Sequence, residues 1–231
     1  MAQDSLLFRF AAPCAFAAAA LGFAYSTSFS LYLHSPSRGT AYADAILLLA
    51  GGVVSTVVFT ILYDRLRDTE PALALWGFLL ALVGAFGAAI HGAYDLANLA
   101  NPPATLASDV PSSVDPRGFG TFALTGLALA VIGLLIVRGR GLPVGLGYLA
   151  FVAAALLVYV YIGRLVILNP KSPGVLPFAV LAGFIVDPAW FVWLGVVLRR
   201  ASAQPPLIAE ITSTREPGPS GVSSAARSRS T

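Results

Sequence analysis

Charge is what this sequence lacks most. Asp, Glu, Lys and Arg make up 11% of its 231 residues, against roughly 25% in an average soluble domain. A globule of 24.0 kDa with so few charges could not cover itself with groups that water solvates well. The scarcity excludes an ordinary soluble domain, a disordered chain and a nucleic-acid binder. Cysteine is nearly absent as well. Cys14 stands alone, so neither an intramolecular disulfide nor a CxxC redox pair can form. The single lysine, Lys171, falls in an apparent loop, which removes a retinal Schiff base buried among helices. Two histidines, His34 and His91, are a poor basis for a bis-histidine haem. No GxSxG elbow or HExxH pair occurs, and the sequence implies no cofactor.

Apolar length is what the sequence has in abundance, with 57% of its residues hydrophobic. A helix rises 1.5 Å per residue, so crossing a hydrocarbon core of roughly 30 Å takes about 20 apolar residues. Six stretches are long enough: Phe10–Leu33, Ala41–Tyr63, Ala72–Leu99, Phe119–Val137, Pro143–Leu168 and Val175–Leu198. The breaks between them are charged, or rich in Gly and Pro, as in Asp64–Glu70 and Asn169–Gly174. Pro71 and Pro143 sit where a helix accepts proline, at its first turn. In lipid every backbone polar group needs an internal partner, so spans of this length must be helices. The fold class predicted is all-α, a polytopic bundle of six transmembrane helices occupying residues 1–200. A tail at 201–231, rich in Ser, Pro, Gly and Arg, is expected to be disordered and cytoplasmic.

The first span has an alternative reading as a signal peptide, with Gly22-Phe23-Ala24 as a small-residue cleavage site. Its apolar run continues to Leu33, longer than a typical signal core, which favours a retained span. The loop from Asn98 to Gly118 is the longest connection and is expected to form an extended, ordered lid. With six spans both termini share one side. That side carries Arg9, Arg65, Arg67, Arg138, Arg140, Arg199 and Arg200, besides Arg215, Arg227 and Arg229 in the tail. The other side carries Arg38, Arg117 and Lys171. Positive charge accumulates on the cytoplasmic side, so both termini are expected there.

Ionisable residues inside spans are costly to insert and usually face a bundle interior with a partner. Asp44, His91, Asp95, Arg164 and Asp187 are the candidates. Counting 1.5 Å per residue places Asp44, Asp95 and Arg164 about 5–7 Å inside the outer helix ends, and His91 about 12 Å. His91 and Asp95 are four apart and share one helix face. These four residues predict either an outward-facing polar pocket, holding a small polar or anionic ligand, or an ion-pair network that staples helices. A guanidinium forks well onto a carboxylate, so Arg164 is expected to bridge Asp95 or Asp44. His34, Asp44, His91 and Asp95 could also offer a metal nitrogen and oxygen ligands. However, HxxxD is a weak signal and Arg164 would repel a cation, so no metal is expected.

Asp187 stands apart, about 18 Å from the outer end of its helix and close to the midplane. Pro188 follows it, removes a backbone donor and is expected to kink the helix. Tyr25, Ser55 and Tyr159 lie at similar depth as hydrogen-bond partners for its carboxyl group. The alternative is a coupling acid for ion or proton movement.

The layout has six spans, both ends inside, short charged inner hairpins and a longer outer loop after the third helix. It resembles the uncharacterised small multi-span inner-membrane proteins of bacteria, and the Ala-, Gly- and Arg-rich composition is similar to that of a high-GC genome. The resemblance implies an architecture and a location; it brings no catalytic residue with it. The expected role is a non-enzymatic ligand-binding, regulatory or assembly component. Its partners would be the bilayer and either a second copy or another membrane protein. One alternative is a small oligomeric transporter or channel that uses Asp187. The other is a membrane-embedded enzyme centred on His91.

Overall fold

The computed structural model of the chain describes residues 6–102, 118–167 and 171–202. Among these residues there is no strand. Six helices are long and apolar enough to cross a membrane. They are α1 (Leu6–His34), α2 (Arg38–Leu66), α3 (Pro71–Ala100), α4 (Phe119–Arg138), α5 (Val144–Val166) and α6 (Leu176–Ala201). The expected spans agree with them to within a few residues. The expected lid falls largely at 103–117 and the expected tail beyond 202, both outside the described residues.

Local chemistry explains where helices start. α2 begins three residues before its apolar run because Ser37 caps it: Thr40 N donates to Ser37 Oγ at 3.1 Å, and Ser37 N donates to Thr40 Oγ1 at 3.2 Å. Pro71 opens the first turn of α3, as expected. Pro143 lies one position earlier than expected, as the extended N-cap of α5.

Residue size separates the faces of these helices more clearly than polarity does. In α3, Leu75, Leu79, Val83, Phe86 and Ile90 recur every three or four residues on the exposed face, with Trp76 beside them. The opposite face carries Ala74, Gly77, Ala81, Gly84, Ala85, Ala89 and Gly92, all buried. Lipid solvates large apolar side chains as well as a protein core does, so small residues go inward, where they let backbones approach. At Gly52 of α2 a methyl group would lie 2.5 Å from Ala85 O and 2.6 Å from Ala89 N of α3. Gly92 of α3 leaves similarly little room beside the Ala45 carbonyl and Leu49 of α2.

The helices pack in chain order from α1 to α5, and α6 returns against α1 to complete the ring. The α2–α3 seam is the most extensive, and the α5–α6 seam is the lightest. The densest core lies at the end where α1 begins and α6 ends. There Val58, Ile61, Leu62, Leu135, Ile136, Leu146, Trp190, Leu194 and Leu198 are each at most 2% exposed. The hairpins at that end carry surface ion pairs, Arg67 to Asp64 at 3.2 Å and Arg138 to Glu70 at 3.8 Å.

Candidate functional site

At the opposite end of the bundle the same helices part around a cavity of about 600 Å³. Its walls come from the last turns of α1, α3 and α5 and the first turns of α2, α4 and α6. Asp44, His91, Asp95, Arg164 and Asp187 all line it. The four residues expected to cluster are therefore together. Asp187, expected to stand apart near the midplane, shares their cavity.

His91 holds a defined position between two helices. Its Nε2 faces Asp95 Oδ2 at 3.5 Å, one turn along α3. Its Nδ1 lies 3.4 Å from Thr121 Oγ1 on α4. Hydroxyl, imidazole and carboxylate thus form a row, but with the ring nitrogens exchanged relative to acyl-transfer triads, where Nε2 faces the hydroxyl and Nδ1 the carboxylate. Thr121 is 9% exposed and is not among the residues that line the cavity. A substrate carbonyl in the cavity would not meet its hydroxyl. Thr121 orients the imidazole.

Asp44 belongs to a second junction. Ser28 Oγ, buried near the end of α1, donates to the Thr40 carbonyl at the start of α2 at 3.1 Å. This clasp sets Ser28 beside the Asp44 carboxylate, and Asp95 lies within electrostatic range of it. Asp44 Oδ1 is buried and accepts no hydrogen bond. Arg164 supplies the cavity's guanidinium from the last turn of α5. His34 is exposed, and its Nδ1 pairs with the Ser30 carbonyl of its own helix at 2.8 Å. Among the described residues no group of three or more His, Cys, Asp or Glu is placed to hold a metal ion.

Asp187 ends an unusual stretch of helix. Residues Ala182–Val186 form a π-helical turn inside α6, and regular α-helix resumes at Asp187. Pro188 has no N–H to return to the Phe184 carbonyl, and a wider turn just before it absorbs that loss. The π turn carries Gly183 against Ser26 of α1, so close that a methyl group at Gly183 would collide with the Ser26 hydroxyl. Asp187 Oδ1 is buried and accepts no hydrogen bond. The expected donor Tyr159 is turned elsewhere: its hydroxyl donates to the Gly174 carbonyl at 2.9 Å, and its ring packs on Phe178 at 4.5 Å. Tyr25 lines the same cavity as Asp187, whereas Ser55 does not.

A second π turn, Phe119–Leu124, opens α4 and contains Thr121. Both π turns border the cavity, and such turns are frequent at functional sites. Pro188 was the sequence's sign of one. No comparable sign marks the other, nor the Thr121 contact or the Ser28–Thr40 clasp. No known protein family, curated protein or solved structure matches this chain.

Proposed function

We propose that the chain is a multi-pass protein of a bacterial inner membrane, with both termini cytoplasmic, whose outward-facing cavity binds a small polar ligand. In this reading the protein is a non-enzymatic receptor, regulator or assembly component. One observation carries it: Asp44, His91, Asp95, Arg164 and Asp187, drawn from four helices, line one cavity of about 600 Å³, while the other half of the bundle is packed. Pockets for small molecules fall in the range of about 300–1,000 Å³ and combine apolar walls with a few convergent polar groups.

Accessibility tests this reading. In a Cys14→Ala background, Leu48→Cys places a thiol on the cavity wall, about 15 Å from the start of α2. It is expected to react with a membrane-impermeant maleimide added outside intact cells. Phe59→Cys, in the packed half and 3% exposed, is expected to stay unlabelled. Gly141→Cys, at a hairpin position open to solvent, should react only after permeabilisation. Labelling of Leu48→Cys from the cytoplasmic side, or from neither side, rejects the proposal.

A transporter is the second reading, and the π turn in α6 favours it. That turn adjoins both Asp187 and the light α5–α6 seam, which gives α6 a segment able to move against its neighbours. Proteoliposome flux that is unchanged in Asp187→Asn would exclude Asp187 as its coupling acid.

A further inference from the structure

The cavity's charge and lining specify a ligand more narrowly than "small and polar". Three carboxylates, Asp44, Asp95 and Asp187, face one guanidinium, Arg164, and one imidazole, His91. An anion placed there would meet more repulsion than attraction. The charges are also unevenly placed. Arg164 lies about 3 Å inside the end of α5, whereas Asp187 lies about 16 Å inside the end of α6. The deep part of the cavity therefore has a carboxylate with no guanidinium beside it. Asp187 Oδ1 is buried there without a hydrogen-bond donor, a condition that costs free energy until a donor reaches it.

The surroundings of Asp187 separate one class of cation from another. A hard metal ion takes about six or more oxygen ligands, and the described residues offer no cluster of that kind. The cavity wall at the depth of Asp187 combines aromatic and aliphatic residues, Tyr25, Leu48 and Phe184, with the polar Ser26 and His91, and Phe29 and Phe122 lie nearer the mouth. Aromatic faces attract ammonium groups, and the attraction grows when the site is dry.

We propose that the cavity receives small organic cations, protonated amines on an aromatic or aliphatic body, with the ammonium on Asp187 and the body against Tyr25, Phe29 and Phe184. The ammonium N–H groups supply the donors that the Asp187 carboxylate lacks. Asp44 and Asp95 nearer the mouth draw the cation inward and offset Arg164. This inference rests on the cavity being open to water, as proposed above.

Thiol protection separates the two claims. The full-length Cys14→Ala, Leu48→Cys protein is reconstituted in nanodiscs and labelled with maleimide in the presence of three probes of nearly equal shape. Phenylethylammonium is the cation, 2-phenylethanol the neutral counterpart and phenylacetate the anion. The cation is expected to slow labelling at least fivefold at saturation, the alcohol less than twofold, and the anion not at all. Adding Asp187→Asn should abolish protection by the amine, and Asp187→Glu should retain it. Labelling in each variant without probe confirms that the cavity is intact.

Equal protection by amine and alcohol, or protection by phenylacetate, overturns the cation inference and leaves the open cavity standing. So does protection by sodium chloride alone, which would mean an inorganic cation. Amine protection that survives Asp187→Asn overturns the role of Asp187. If Leu48→Cys does not react even without probe, yet reacts after denaturation in SDS, the open cavity itself is wrong.

Discussion

At one end of this bundle six helices bring Trp190, Leu194, Leu135 and Ile61 into contacts that leave each at most 1% exposed. At the other end the same six helices enclose about 600 Å³ lined by Asp44, His91, Asp95, Arg164 and Asp187. Both halves are made of apolar helix, and both rely on small residues at helix crossings. They differ in where large side chains point and in where helical geometry is regular. In the packed half, bulky residues fill the axis. In the cavity half, π turns in α4 and α6 interrupt the regular register, and ionisable groups take the inward positions. Packing closes a bundle, and inward charge with irregular helix holds it open.

The largest effect is expected where the packed half is emptied. Trp190→Ala removes a side chain that is 1% exposed, and comparable truncations cost about 3–5 kcal/mol. Unfolding of the purified protein in mixed micelles measures this loss. A cost below about 1 kcal/mol would mean that this half is not closed by packing.

A smaller loss is expected at the seam joining the two halves. Gly52→Leu forces α2 away from Ala85 and Ala89 of α3, and overpacking of this kind costs about 1–3 kcal/mol. The same unfolding measurement reports it, and Gly52→Ala should fall between the two proteins.

The smallest effect should have the opposite sign. Asp187→Leu removes a buried carboxylate oxygen that accepts no hydrogen bond, so stability is expected to hold or rise by about 1 kcal/mol while amine protection is lost. A stability loss as large as that of Trp190→Ala would make Asp187 a structural residue and erase the contrast between the halves.

The spans were legible in the sequence because hydropathy is a local quantity. Roughly 20 apolar residues in a row have few other outcomes, and capping signals such as Ser37 and Pro71 acted where they stand. The polar cluster was partly legible for a related reason. Distance from a helix end gives depth along the membrane normal, and that placed Asp44, His91, Asp95 and Arg164 in one layer. Depth carries no azimuth, however. Asp187 counted as deeper and was set apart, although its side chain turns into the same cavity. Tyr159 matched it in depth but faces Gly174 instead. The His91–Thr121 contact joins residues 30 positions apart, and no local pattern encodes such a pairing.

By itself, then, the sequence determined six apolar helices, their approximate ends and the short roster of ionisable residues within them. Each of these follows from the cost of placing a polar group in lipid, which is set residue by residue. Tertiary structure alone decided that five scattered side chains share one cavity, that a threonine holds the histidine and that one carboxylate lies deep without a donor. Those outcomes depend on how each helix is rotated about its axis, and many weak contacts between helix faces settle that rotation together.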